Sequence, residues 1–393
     1  MKVEAHIYGH GIQKAVIASD SFKGSLTSAE VASAISAGIK EVFPECRVLA
    51  IEAADGGEGT MTALMKILGG KTVEAEVHDP LMRPVKAVYG ISDDGTTAIM
   101  EMSAASGLCL LGTGERNPMK TTTFGTGEMI ADASRRGCRR FLVGIGGSAT
   151  NDAGTGMLAA LGARFLSADG RILPGIGEAL PHIAGIDLSG IPEAVSRSEF
   201  TVACDVDSPF CGPDGAAYTF APQKGADARM AEALDLGMEA FSRTVTRMCG
   251  YDMRHVKGAG AAGGLGGAFA AFLNARLVSG SELVLETAGF DALARDADIV
   301  FTGEGRIDSQ TSKGKLPYCV LKHASRLGIP VIAVAGSVSP GTDPGFTAVF
   351  PVLCSPCSAA EAMDPETASR NIRRTVKQIM KVISSSFHIR SSL

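Results

Sequence analysis

The feature that most constrains this chain is a repeated unit: a short apolar run, a loop of glycines and acids, then a helical stripe. Ala15–Ala18 leads into Asp20-Ser21-Phe22-Lys23-Gly24-Ser25, and Val48–Ile51 into Asp55-Gly56-Gly57-Glu58-Gly59-Thr60. Phe141–Ile145 opens onto Gly146-Gly147-Ser148-Ala149-Thr150-Asn151-Asp152. Phe200–Ala203 ends at Cys204-Asp205-Val206-Asp207, and Ile299–Thr302 at Gly303-Glu304-Gly305-Arg306-Ile307-Asp308. Short apolar runs bounded by turn residues read as buried strands, and their alternation with helices predicts βαβ units around a mainly parallel sheet.

Local signals fill in the elements. Thr27 and Glu30 form a capping box, Leu26 and Val31 can staple it, and Val31, Ile35, Ile39 and Val42 share one helical face. Met61–Leu68 reads as a second helix. Val73–Val77 and Val85–Gly90 are strand-like, with Asp94-Gly95 a hairpin turn before Ala98–Met102. Leu234, Met238, Phe241, Val245 and Met248 make a helical stripe suited to core packing. Val331–Ala335 and Ala348–Leu353 return to the βα rhythm, and Ile372, Val376, Ile379 and Ile383 predict a terminal helix docked on that sheet. With no Pro- or Ser-rich linker, a discontinuous arrangement follows. Residues 1–72 plus 286–393 form one α/β domain, and 73–285 form a second α/β domain inserted into it.

Composition narrows the function. A net charge of −5, no Trp and five Tyr argue against a nucleic-acid partner, which needs clustered cations and stacking aromatics. No apolar stretch approaches the ~20 residues of a membrane span, and Met1–Gln13 lacks a signal-peptide core. The nine scattered cysteines suit reduced thiols in a cytoplasmic protein, with Cys354 and Cys357 an incidental CxxC. Glycine is in excess, 48 of 393 residues, about 12% against a usual ~7%. The glycines gather at the ends of apolar runs, where backbone must approach a ligand closely.

Ligands of open parallel sheets bind outside the carboxyl ends of the strands. Five such ends here carry small residues with carboxylates, two of them with a cation. Any one could be a helix cap; five together suit phosphoryl transfer, where the protein positions groups and neutralises charge. Glycine loops at helix starts offer N–H groups to phosphate, carboxylates hold Mg²⁺ or accept a proton, and Lys or Arg stabilises phosphoryl oxygens. Familiar nucleotide motifs fail: Gly70-Lys71-Thr72 lacks the earlier Walker glycine, the position being Met65. Gly258, Gly260 and Gly263 satisfy GxGxxG but follow Met253–Lys257, which is no apolar strand.

Seven strings, in order, resemble the type 1 glycerate kinase family over nearly the whole chain. They are DSFKGSLTS at Asp20–Ser28, ADGGEGT at Ala54–Thr60, GIGGSATNDAGTGM at Gly144–Met157, ACDVDSPFCGPDGA at Ala203–Ala216, PQKGA at Pro222–Ala226, GAGAAGGLG at Gly258–Gly266 and TGEGRIDSQT at Thr302–Thr311. Ser19 stands where that pattern usually has Pro, and Ala153 and Ala221 where it commonly has Gly; Met1–Gln13 lies outside it. The resemblance implies phosphorylation of D-glycerate by ATP with Mg²⁺, usually to 2-phosphoglycerate. It also implies two α/β domains, one flavodoxin-like, doubly wound and built from both chain ends, with the active site in the cleft between them.

The roles that follow are expectations. Asp55, Lys23 and Asp205 are the catalytic candidates, with Asp55 the base or metal-linked acid. Asp20, Ser21, Glu58 and Arg306 are candidates for glycerate, Arg306 for its carboxylate; Lys23 could touch phosphate or that carboxylate. Gly146, Gly147, Ser148, Asn151, Gly260, Gly263 and Glu304 are candidates for nucleotide phosphates, and Asp205 with Asp207 for Mg²⁺. Plainer readings stand beside these: Asp152 as a helix cap, Arg306–Asp308 as a mutual ion pair, Lys224 as a solvated loop charge. Alternatives at the level of function are a kinase of another small hydroxy acid, an NAD-dependent oxidoreductase using Gly258–Gly263, or an inactive glycerate-binding regulator. Expected partners are small molecules alone, with homo-oligomerisation left open.

Overall fold

A computed structural model describes residues 11–52, 60–342, 344–353 and 356–390. Contacts divide the chain into two units, Met1–Ala63 with Ser281–Leu393, and Leu64–Gly280. The first unit is therefore discontinuous, and its division from the second falls inside the helix Thr60–Leu68 at one end and at the start of the helix Gly280–Thr287 at the other.

In the unit of the chain ends, five strands form one all-parallel sheet in the order Ala348–Pro351, Val331–Val338, Ile299–Ile307, Lys14–Ser19, Arg47–Glu52. Counted along the chain this is 2-1-3-4-5, the flavodoxin-like doubly wound order. The direction of winding reverses between Lys14–Ser19 and Ile299–Ile307, whose register sets Ala15 opposite Ile299 and Ile17 opposite Phe301. Its two central strands are buried on both faces, so Ala15–Ala18 and Ile299–Phe301 are continuous apolar runs rather than alternating ones. Helix Ser28–Lys40 opens with the expected capping box, Glu30 N–H donating to Thr27 Oγ1 (3.3 Å) and Thr27 N–H to Glu30 Oε2 (2.8 Å). Its Val31, Ile35 and Ile39 share a core with Ile372, Val376 and Ile379 of the terminal helix Pro365–Arg390 and with Ile17, Phe301 and Val334 of the sheet. Gly38 permits the two helices to touch, since a Cβ there would lie 2.7 Å from Arg373 O; Arg373 and Lys377 both pair with Glu41.

The other unit is built on a six-stranded mixed sheet ordered Arg276–Val278, Glu199–Ala203, Arg140–Gly144, Thr97–Glu101, Pro84–Ile91, Lys71–His78. The first four strands are parallel, and the last two pairings are antiparallel. The hairpin at Asp94-Gly95 forms as expected, with Ser92 N–H donating to Thr97 O (3.0 Å) and Gly95 at φ +71°. Phe141 and Phe200 of neighbouring strands stack at 4.7 Å. Helix Ala228–Cys249 buries Leu234, Met238, Phe241 and Val245 as its stripe predicts. Met248 departs from it at 47% exposed, because the helix outlasts the core it covers. Among the described residues the cysteines are free thiols, and no helix is long and apolar enough to cross a membrane. Cys354 of the CxxC lies outside the described residues.

Candidate active site

At the carboxyl edge of the doubly wound sheet, the loop after Lys14–Ser19 is fastened to the neighbouring strand. Asp20 N–H (2.9 Å) and Ser19 Oγ (3.1 Å) both donate to Gly303 O, and Ser28 Oγ donates back to Ser19 O (2.6 Å). Phe22 and Leu26 close the loop by exchanging backbone bonds of 2.9 and 3.0 Å, each with a buried side chain. Asp20 is buried, its Oδ1 accepting Ser21 N–H at 2.6 Å, and Lys23 is exposed. These residues sit where the winding reverses, the position at which such sheets bind ligands.

The adjoining strand carries Glu304, still paired in the sheet opposite Ala335. Its side chain is 6% exposed and doubly held: Thr311 Oγ1 donates to Oε1 (2.6 Å) and Lys315 Nζ to Oε2 (3.0 Å). A buried carboxylate so paired holds Lys315 at the sheet edge, a cation that sequence reading did not single out. Arg306 is 68% exposed, 3.7 Å from Asp308 and 3.1 Å from Ser339 Oγ. The ion pair anticipated for it exists, and such a solvated pair contributes about 0–1 kcal/mol. Asp55 and Glu58 lie outside the described residues.

In the inserted unit the loop after Arg140–Gly144 rises to the surface and returns. Gly146 and Gly147 are exposed, Gly147 at φ +72°, and a Cβ on Gly146 would meet nothing within 4 Å. Its backbone is docked on the neighbouring segment, Gly147 O accepting Leu108 N–H (2.8 Å) and Ala149 N–H reaching Ser106 O (2.9 Å). An open glycine turn with fixed shape suits phosphate oxygens. Beneath it, Ser148 Oγ and Thr150 O each accept a 2.7 Å hydrogen bond from Lys224 Nζ. Lys224 is 1% exposed, so its reading as a solvated charge is corrected; burial holds its pKa down at about 7, opposed by the charge of Asp152.

Asp152 does cap a helix, and does more. Its carboxylate accepts Gly156 N–H (3.1 Å) in the first turn of Thr155–Ala160, and also Thr123 N–H (2.8 Å), Thr123 Oγ1 (2.7 Å) and Gly154 N–H (3.1 Å). Burial pushes its pKa up, against the pull of those donors. Asn151 is fully buried with its amide nitrogen against Met238 Sδ (3.1 Å). The close approaches at Gly260 and Gly263 are to protein: a Cβ on either would lie 2.1 Å from Pro209 O or Thr150 O respectively. The residues before them, Met253–His255, form a 3₁₀ turn, so the string lacks the strand a dinucleotide fingerprint needs.

Asp205 ends the strand Glu199–Ala203, and its Oδ1 accepts Gly280 N–H at 2.9 Å. Asp207 is 83% exposed and 3.6 Å from Lys257 Nζ. Among the described residues no group of three or more His, Cys, Asp or Glu could hold a metal. One or two carboxylates still match the hard oxygen donors Mg²⁺ takes when nucleotide phosphates and water complete its shell.

Residues 15–384 match the model of the glycerate kinase family. The chain belongs to that family. A glycerate kinase of Bacillus subtilis (strain 168) is 44% identical over 370 residues, 93% of this chain and 96% of the relative. A glycerate 2-kinase of Escherichia coli (strain K12) is 42% identical over 372 residues, 92% of this chain and 98% of the relative. A solved structure assigned as glycerate kinase 2 from Salmonella typhimurium LT2 superposes with a TM-score of 0.80 at 43% identity, covering 96% of this chain and 99% of that one. The family expected from the seven strings is thereby established, as is the α/β fold. The enzyme is a phosphotransferase, and its activity is that of a glycerate kinase. The departures from the family pattern now have places: Ala153 takes the left-handed φ of +52°, whereas Ala221 sits at φ −66°, where any residue fits.

Proposed function

We propose that this kinase transfers the γ-phosphoryl group of MgATP to the 2-hydroxyl of D-glycerate, giving 2-phospho-D-glycerate. The observation that carries this reading is the near-complete match to a relative named for the 2-position, 42% identical over 92% of this chain. The chemistry of the strand ends supports it. Gly146, Gly147 and Ser148 receive nucleotide phosphate on an exposed turn, while Asn151, Gly260 and Gly263 act beneath it by fixing its shape. Asp205 and Asp207 hold Mg²⁺, which when bound neutralises phosphate charge and aligns the triphosphate.

Glycerate binds through Asp20, Ser21, Glu58 and Arg306, the last meeting its carboxylate. Asp55 takes the proton of the attacking hydroxyl, Lys23 meets the transferred phosphoryl oxygens, and Glu304 acts on the nucleotide through Lys315. Of these, Asp55 carries the most specific demand: a base must be within hydrogen-bond reach of the proton it accepts. The test is an ADP-release assay across D-glycerate, L-glycerate and related hydroxy acids, with the product isomer identified by NMR. Faster turnover of another hydroxy acid, or a 3-phospho product, would overturn the proposal. Asp55→Asn should reduce turnover about a hundredfold or more; near-normal turnover would remove Asp55 from the chemistry.

A further inference from the structure

Lys224 is the most deeply buried lysine or arginine among the described residues, and no role in the proposed phosphoryl transfer is assigned to it. It lies in the short 3₁₀ turn Pro222–Lys224, 1% exposed, with its ammonium directed at the underside of the glycine turn. Among the described residues Nζ meets two acceptors, Ser148 Oγ and Thr150 O, both at 2.7 Å. An ammonium has three N–H donors, so one is left over. When Lys224 is protonated its Nζ can only donate, so it occupies one lone pair of Ser148 Oγ and the serine's own O–H needs another acceptor, of which none is found among the described residues. Thr150 Oγ1, next to the clamp, is buried with no hydrogen-bond partner either. The exposed Gly146 and Gly147 immediately precede Ser148 in the same turn. Donors without acceptors beneath an open glycine turn are arranged for an anionic oxygen.

We propose that Lys224 is a positioning residue for the nucleotide phosphates: it fixes the Gly146–Thr150 turn, directs the Ser148 hydroxyl outward as a donor, and supplies the charge that an arriving phosphate pairs with. The proposal rests on the reading that this turn receives phosphate. Its consequence is a coupling between protonation and nucleotide binding. The charged groups around Lys224 are few. Asp152 on the loop below acts on it electrostatically, Asp227 is turned to Met230 N–H as a helix cap (2.8 Å), and Arg116 belongs to the segment whose backbone abuts Gly225. With its pKa held near 7 by burial, Lys224 is neutral in a large share of molecules above that pH. An anion binding over it favours the ammonium, so binding draws a proton from solvent, and affinity falls as pH rises beyond 7. The fall approaches tenfold per pH unit until the pKa of the bound state is passed.

The experiment uses the full chain, a non-hydrolysable ATP analogue and excess Mg²⁺, with calorimetry at pH 6.5 to 9 in buffers of different ionisation enthalpy. Wild type should take up close to one proton at pH 8 and lose at least tenfold in affinity across the range. Lys224→Met should bind weakly with no proton uptake and no slope, and Lys224→Arg, charged throughout, should also lack the slope. Ser148→Ala should weaken nucleotide binding by about 10- to 100-fold, the worth of a hydrogen bond to a charged group. If Ser148→Ala changes neither nucleotide affinity nor the KM for glycerate, the phosphate reading of the turn falls and the proposal with it. If Ser148→Ala weakens binding but Lys224→Met keeps the wild-type proton uptake and slope, the turn stands and the role of Lys224 is refuted. Should Lys224→Met fail to fold, the wild-type proton uptake and the Lys224→Arg profile decide, and zero uptake at pH 8 overturns the proposal.

Discussion

Asp152 tests whether the loop under the glycine turn is held by its acid. Replacing Asp152 with Ala removes an acceptor from three backbone N–H groups, Thr123, Gly154 and Gly156, and from the Thr123 hydroxyl. All three residues are buried. A buried donor left without a partner costs about 1–3 kcal/mol. Removing a carboxylate whose own burial is unfavourable offsets part of that sum, so a net loss of about 3–5 kcal/mol is expected. The Thr123 hydroxyl adds little, because it is free to rotate while Oγ1 still accepts Met157 N–H (2.8 Å). Asp152→Asn should cost less, about 1–3 kcal/mol. Its carbonyl can replace Oδ2 and keep three donors, leaving an amide N–H₂ facing Gly154 N–H in place of Oδ1.

Two units complicate whole-chain unfolding curves, which need not be two-state. Urea denaturation should therefore be paired with hydrogen exchange of peptides spanning 120–127 and 152–160. Asp152→Ala should accelerate exchange at Thr123 and Gly156 by two orders of magnitude or more, given about 3 kcal/mol and tenfold per 1.4 kcal/mol. A loss below about 1 kcal/mol with unchanged exchange at those amides would show that the four-donor cage does not stabilise the loop.

Other outcomes follow from single contacts. Glu304→Gln breaks the part-buried pair with Lys315 (3.0 Å) and should raise the KM for ATP about tenfold or more, a charge-assisted bond being worth about 1.5–3 kcal/mol; an unchanged KM would remove Glu304 from nucleotide binding. Arg306→Ala should mainly raise the KM for glycerate, and an unchanged value refutes its contact with the carboxylate. Gly263→Ala puts a methyl group 2.1 Å from Thr150 O at φ +69°, so a loss of roughly 2–5 kcal/mol is expected in thermal unfolding, and a wild-type melt would contradict the packing. His323 is pinned by Glu282 (2.8 Å) and Asp291 (2.5 Å). The Glu282 bond, the main cause, raises its pKa, so its contribution is full below about pH 6.5 and fades as pH rises through the raised value. His323→Gln should therefore lose more stability at pH 5.5 than at pH 9, by about 1–2 kcal/mol after allowing for the half-exposed Asp291; an equal loss at both would refute the charged imidazole.

What could be read in the residues alone, and what could not, divides along a physical line. Capping at Thr27, the hairpin at Asp94-Gly95 and the apolar strands are local: each depends on residues within a few positions, so composition and spacing carry them. Lys224 is not local. Its neighbours in the chain are a proline, a glutamine and a glycine, a pattern that suits an exposed loop. The acceptors that bury it come from Ser148 and Thr150, more than 70 residues away. The same holds for Met248, whose place in a helical stripe says nothing about where the core beneath that helix stops.

The glycines show how a true signal can be attached to the wrong neighbour. Their excess predicts backbone approaching a ligand, and at Gly146 a Cβ would meet nothing within 4 Å. At Gly260 and Gly263 the same demand for closeness comes from the protein, because loops from different strand ends touch there: Pro209 O beside one, Thr150 O beside the other. Such contacts hold the backbone of the turn in place, and a fixed backbone is what the proposed phosphate site would require. Ala153 belongs to the same set. It holds a left-handed φ of +52° where the family commonly has glycine, with its N–H donating to Gly263 O at 3.0 Å. A left-handed alanine costs about 1–2 kcal/mol, and the fully buried methyl group returns about 0.8 kcal/mol of that. The net cost of about 0.2–1.2 kcal/mol is small enough for the loop to keep its shape with alanine at this position.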